Sequence, residues 1–319
     1  MSRAALAIAT VCALAGVSVA GVSSGSRARS APPTARTRFA VGTEQLTFVD
    51  RSRTIVVPGQ PPRPRTLTTI IRYPAQGPVG RLDLAGATPD RAAGPFPLVV
   101  FGHGFAVTPA TYFRLLRAWA QAGYVVAAPV FPLENAHAPG GPDESDLVNQ
   151  PRDVSVVISG LLAANDSAHA LLHGMIAPRR VAVSGQSDGG ETALAVAYDR
   201  FYRDPRVRAA VILSGARMPG GGALLPGPPL LATQGTADTV NNPANTYAFF
   251  GDAHRPKYLL RLIGAPHLPP YTVQQPQLTI VERVTIAFLD RYLKGASDGL
   301  GRMRAAADRP GLARLQADP

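Results

Sequence analysis

From about residue 39 the chain alternates short apolar runs with segments whose apolar residues recur at helical spacing. That alternation predicts an α/β protein with a mainly parallel sheet. Eight runs read as strands: 45–50, 66–73, 97–103, 124–130, 180–185, 208–215, 229–235 and 258–264. The first two alternate more strictly and precede any helix, so they are expected to form an antiparallel edge. Helices are expected to start near Thr108, Asp153, Ser187, Pro243 and Leu278, with Thr108 capping the first and Pro109 in its first turn. In 153–164, Val154, Val157, Ile158, Leu161 and Leu162 recur at helical spacing; in 278–293, Ile280, Val281, Val284, Ile286, Ala287 and Leu289 predict an apolar helix lying on the sheet. The tail, 297–319, is polar and is expected to fray. No internal repeat is present, so residues 39–296 read as one domain.

The connection at 216–228, "ARMPGGGALLPGP", is short and rich in Gly and Pro. It has no room for a helical lid. It reads either as the rim of an open, shallow site with apolar contributions from Met218, Leu224 and Leu225, or as a surface loop.

Composition changes the picture mainly at the N-terminus. With 46% hydrophobic and 17% charged residues in 319, a sizeable core is expected and global disorder is not. Arg3 precedes an uncharged run, Ala4 to Val22, that ends in small residues, with Ser18-Val19-Ala20 resembling a cleavage site. Residues 1–20 therefore read as a secretory signal peptide, with an uncleaved anchor as the alternative. Residues 21–38 read as a flexible basic linker. The single cysteine, Cys12, lies inside the leader, so a mature secreted chain would have no intramolecular disulfide. The net charge of +11 is almost all arginine, only Lys257 and Lys294 being lysine. The arginines are scattered, without an aromatic-interleaved stripe, so no nucleic-acid partner is expected. Nor is stable membrane insertion expected once the leader is removed. A positive surface would suit acidic cell envelopes or anionic substrates.

The candidate chemistry centres on "VAVSGQSDGGET", 181–192, where a short apolar strand ends in Gly-x-Ser-x-Gly and runs straight into helix-forming sequence. That is the pattern of a strand-to-helix turn holding a serine up for attack. A serine hydroxyl needs a base within hydrogen-bond reach, and the base needs a partner to fix its tautomer. Asp238, three residues past the run 229–235, and His267, three residues past Gly264, follow Ser187 in the chain order this architecture requires. Asp252 and Glu134 are rivals for the acid but sit less well beyond a strand end. The oxyanion donors are expected to be the backbone N–H groups of Asp188 and of Phe105, the latter in the turn "FGHGFAV". His103 is expected to brace that turn. "GHGFAV" is not a dinucleotide-binding turn, since Val107 stands where the third glycine should be. His137, His169, His173 and His254 lack ligand spacing and read as surface histidines. Glu134, Asp143, Glu144 and Asp146 suit either a Ca²⁺ site or a solvated loop, and the loop is the expectation.

Together, "FGHGF", "GQSDGG", "QGTAD" and "GAPH" resemble the α/β-hydrolase superfamily over roughly residues 66–293. Within it they are most similar to its secreted esterase branch of polyester hydrolases, dienelactone-hydrolase-like enzymes, chlorophyllases and platelet-activating-factor acetylhydrolases. The resemblance implies an eight-stranded sheet with helices on both faces, no metal, no cofactor and an acyl-enzyme mechanism. It gives Ser187 as nucleophile, Asp238 as acid, His267 as base and Phe105 at the oxyanion position. Polyester hydrolases commonly carry His and Met on either side of the serine, where this chain has Gln186 and Asp188, and a C-terminal disulfide that is impossible here. These differences bear on the substrate more than on the mechanism. The Asp188 carboxylate is expected to point away from the oxyanion, favoured by the helix N-terminus.

The chain therefore reads as a secreted serine hydrolase of carboxylic esters, acting on a small-molecule or polymeric ester, with activity rising as His267 loses its proton. A peptidase or amidase of the same fold and a catalytically inactive binding member are the alternatives.

Overall fold

The computed structural model describes residues 38–57 and 59–319. The leader with its cleavage site, Cys12 and the linker up to residue 37 lie outside the described residues. The strands are β1 (Ala40–Ile55), β2 (Arg63–Ala75), β3 (Leu84–Ala85), β4 (Phe96–Gly102), β5 (Val125–Pro129), β6 (Ile176–Gln186), β7 (Val207–Leu213), β8 (Leu230–Gly235), β9 (Lys257–Leu262) and β10 (Ala313–Asp318). The helices are α1 (Phe113–Gln121), α2 (Gln150–Asp166), α3 (Asp188–Tyr198), α4 (Pro243–Asp252), α5 (Gln277–Leu293) and α6 (Gly299–Ala307).

All ten strands form one sheet in the order β10-β9-β8-β7-β6-β4-β5-β2-β1-β3. Its centre, from β5 to β9, is parallel. β2 pairs antiparallel with both β1 and β5, which makes the expected antiparallel edge. Alternate residues of the central strands enter opposite cores. Val99 and Phe101 pack with α1, α5 and α6, whereas Leu98 and Val100 pack with α2, α3 and α4. Strands covered on both faces need apolar side chains at every position, which is why they read as unbroken apolar runs.

Three expectations are corrected. The sheet has ten strands, not eight. Of the two additions, β3 is only two residues long, and β10 belongs to the tail expected to fray. That tail forms α6 and then β10, which pairs antiparallel with β9 from Ala313↔Leu262 to Asp318↔Lys257. Met303, Ala307 and Ala313 are buried in the core shared with α5. The polar appearance of "ARLQAD" is that of an edge strand with one covered side: Ala313, Leu315 and Ala317 alternate with Arg314, Gln316 and Asp318. Finally, Thr108 makes no side-chain cap; the chain enters α1 through a single 3₁₀ turn, Pro109–Tyr112.

A buried ionic cluster fixes the long segment between β5 and α2. Arg65 of β2 donates to both oxygens of Asp146 (2.8 and 2.6 Å) and both of Asp153 (2.7 and 2.6 Å). Arg53 adds a second cation on Asp153 at 2.6 Å. Breaking such a pair by removing one partner costs about 3–5 kcal/mol, because the remaining charge stays buried. The region expected to be a solvated acidic loop is therefore only partly so: Glu134 and Asp146 are buried, while Asp143 and Glu144 stay exposed. Among the described residues no group of three or more His, Cys, Asp and Glu is placed to hold a metal ion. No helix among them is long and apolar enough to cross a membrane.

Candidate active site

The turn at 185–189 is built by close backbone approach. A Cβ on Gly185 would overlap the Gly189 carbonyl, and one on Gly189 would overlap the Gly102 carbonyl. Only glycine at these positions lets α3 start directly over the ends of β4 and β6, whose pairing ends at Gly102↔Gly185. Ser187, between them, is held at φ 57° and ψ −125°. A non-glycine residue in that region stores about 1–3 kcal/mol of strain, which the surrounding packing must overcome.

The two partners inferred for Ser187 meet it. His267 Nε2 lies 3.0 Å from Ser187 Oγ. Its Nδ1 lies 2.8 Å from Asp238 Oδ2. Nδ1 faces a carboxylate and so carries the proton, leaving Nε2 free to accept the serine O–H. Asp238 is 5% exposed and firmly held: Oδ1 accepts from the N–H groups of Val240 (3.0 Å) and Asn241 (2.9 Å), and Oδ2 also accepts from Gln234 Nε2 (3.0 Å). Burial alone would raise its carboxyl, but the His267 hydrogen bond and charge, with the Asn241 and Gln234 donors, hold it below the usual range. Asp252, the rival acid, is at the surface paired with Arg217.

The turn after β4 lies against the serine, since a Cβ on Gly104 would sit 3.1 Å from Ser187 Cβ. The backbone N–H groups of Phe105 and Asp188 have no acceptor among the described residues. His103 braces this turn as expected. Its Nδ1–H donates to Gly104 O (2.8 Å), and its Nε2 accepts from Phe131 N–H (3.0 Å). Burial pushes its imidazole down to about 4 against the opposing Gly104 bond, so it is neutral. His137, His169, His173 and His254 are exposed, as expected of surface histidines.

Two contributors were not anticipated from sequence. Gln186 is 1% exposed. Its Nε2 donates to His267 O (3.3 Å) and lies 3.1 Å from His267 Nε2. The Tyr112 O–H donates to Gln186 Oε1 (2.6 Å) and accepts from Gly104 N–H (3.2 Å). The turn after β4 and the loop carrying His267 are thus tied together through one buried amide. The only sequence signal was Gln186 itself, a large amide where the resemblance led to histidine. The Asp188 carboxyl is buried and lies beside Glu134, a partner the sequence did not suggest.

The connection 216–228 carries no helix. Met218 does not line the site; it packs with Leu147 and Ala195. Leu224 joins the second core and Leu225 is exposed. A cleft of about 680 Å³, lined by Leu147, Val148, Glu191, Ala216 and Pro219 among others, opens beside α3, one helical turn beyond Ser187.

The Chlorophyllase family model matches residues 79–213, from before β4 to the end of β7. The chain is also similar in structure to a ferulic acid esterase from Streptomyces cinnamoneus, with a TM-score of 0.66 at 23% identity, covering 89% of this chain and 98% of that one. No curated protein sequence matches it.

Proposed function

We propose that this chain, which has the α/β-hydrolase fold, cleaves carboxylic esters through an acyl-enzyme formed on Ser187. The observation that carries the reading is the continuous line from Ser187 Oγ through His267 to Asp238, at 3.0 and 2.8 Å. The family and fold likenesses support ester cleavage, both lying among ester hydrolases. Ser187 Oγ attacks the ester carbonyl carbon while His267 Nε2 takes its proton. Asp238 stabilises the imidazolium through the Nδ1–H bond. The oxyanion is received by the N–H groups of Phe105 and Asp188. As the tetrahedral intermediate collapses, the carbon–oxygen bond to the alcohol breaks, and the imidazolium proton goes to the departing alkoxide. Water, deprotonated by His267, then releases the acid and restores Ser187. With no helix over the connection 216–228, bulky acyl or alcohol groups have room beside the cleft next to α3.

A hydrolysis screen over nitrophenyl esters of increasing acyl length, with matched anilides and a polyester film, tests the reading. Turnover of esters with little or none of anilides is the expected result. Preferential anilide cleavage would make the chain an amidase, and turnover of neither would favour a non-catalytic binding role. We also propose export, supported by the residue pattern of 1–22 alone. The intact mass of the protein recovered from its producing cells checks it, a mature N-terminus at Gly21 being expected and an unprocessed chain counting against it.

A further inference from the structure

Glu134 is 0% exposed, and neither carboxyl oxygen has a hydrogen-bond donor among the described residues. Asp188 Oδ2 is in the same condition. These two carboxyl groups lie within hydrogen-bond reach of each other. Two buried carboxylates have only acceptors to offer, so the contact as two anions is repulsive and leaves both Glu134 oxygens and Asp188 Oδ2 without a donor. One proton removes the repulsion and gives Asp188 Oδ2 a donor: Glu134 as the neutral acid donates to it.

We propose that Glu134 is a positioning residue that keeps a proton at the back of the active site, donated to the Asp188 carboxylate, so that the negative charge beside the oxyanion donors and Ser187 is held to one and engaged by a donor. This rests on the ester-hydrolase reading for its catalytic consequence, though not for the proton itself.

The consequence follows from where Asp188 sits. Its backbone N–H is one of the two oxyanion donors, and its Oδ1 lies 3.4 Å from Ser187 Oγ, a long contact that competes with His267 for the serine proton. A carboxylate already engaged by a donor on Oδ2 is a poorer acceptor on Oδ1. The hydroxyl therefore stays with His267, and the developing oxyanion meets less opposing charge.

The electrical surroundings agree. Burial first, then Asp188, Asp146 and Glu144, push the Glu134 carboxyl up to about 10. Glu191, one turn along α3, is likewise pushed up to about 8 by burial and by Asp188 and Glu144. The cations of this region are committed elsewhere, Arg65 to Asp146 and Asp153 and Arg53 to Asp153 and Asp50. Tyr112, which also feels Asp188, is raised beyond its usual range by burial and stays neutral, and His103, lowered by burial, is neutral as well. The unfolded chain releases the Glu134 proton near 4.5 and the folded one near 10. Its contribution to stability is therefore whole below 4.5 and is lost as pH rises through 10.

Two variants and one spectroscopic readout test this. Glu134→Gln keeps the shape and supplies a permanent N–H donor to Asp188 that cannot be titrated away. The parent should lose kcat on a nitrophenyl ester as pH passes about 10, whereas Glu134→Gln should hold its kcat there. Glu134→Leu, which removes the donor, should lower kcat about tenfold at neutral pH with KM little changed, the cost of leaving a buried charge unpaired. Infrared difference spectra should show an un-ionised carboxylic acid at pH 8 in the parent that vanishes in Glu134→Gln. An alkaline fall identical in parent and Glu134→Gln, or an infrared band unaffected by that substitution, would overturn the inference. Should the enzyme cleave no ester, the infrared band still reports the proton, so failure of the functional reading is distinguishable from failure of this one.

Discussion

Ser187→Ala is expected to lower kcat/KM on any ester the enzyme accepts by about 10⁵-fold or more and to abolish labelling by a fluorophosphonate probe. The argument is local. The substitution removes one oxygen, and with it the contact to His267 Nε2 at 3.0 Å and the long one to Asp188. Alanine and serine share the steric cost of φ 57°, and the glycines that form the turn are untouched. Folding should therefore survive, and an unfolding transition close to the parent's would show that the loss is chemical. Persistent labelling would mean that another serine is the nucleophile.

Asp238→Asn should cost about 10⁴-fold in kcat, for a reason the structure makes specific. Three donors already point at this carboxylate: the N–H groups of Val240 and Asn241 on Oδ1, and Gln234 Nε2 on Oδ2. An asparagine keeps its carbonyl oxygen toward the two backbone donors and so turns its NH₂ toward Gln234 and His267. His267 Nδ1 then faces a donor and must become an acceptor, which moves the ring proton to Nε2. With Nε2 protonated, the imidazole no longer accepts from Ser187. The electrostatic support for the imidazolium is lost as well. Steady-state kinetics at neutral pH, with fluorophosphonate labelling slowed in parallel, would check both effects. A loss below about tenfold would show that Asp238 does not orient the base.

Much of this was legible along the chain. The eight apolar runs all became strands and the five proposed helices all formed, because strands buried on both faces and amphipathic helices each leave a short-range period in the residues. Ser187, Asp238 and His267 could be picked out because each lies just past a strand on the side where a parallel sheet gathers its loops. The tail was misjudged because half of an edge strand's side chains are polar by construction, and Met303 and Leu315 look isolated until α5 and β9 are placed beneath them. Met218 was misplaced for the related reason that an apolar residue in a loop does not say which neighbour will cover it.

By itself, then, the order of residues determined the strands and helices, the glycine-framed turn that lifts Ser187, and the three chemical groups at successive strand ends. Each depends on backbone geometry or on periodicity over a few positions. Only the tertiary structure decided that Gln186 and Tyr112 tie the turn after β4 to the loop carrying His267, that Arg65 anchors Asp146 and Asp153, and that Asp188 faces Glu134 rather than water. These are contacts between side chains far apart in the chain. Their partners and degree of burial are set by how layers pack, and burial decides whether a carboxyl group keeps its proton.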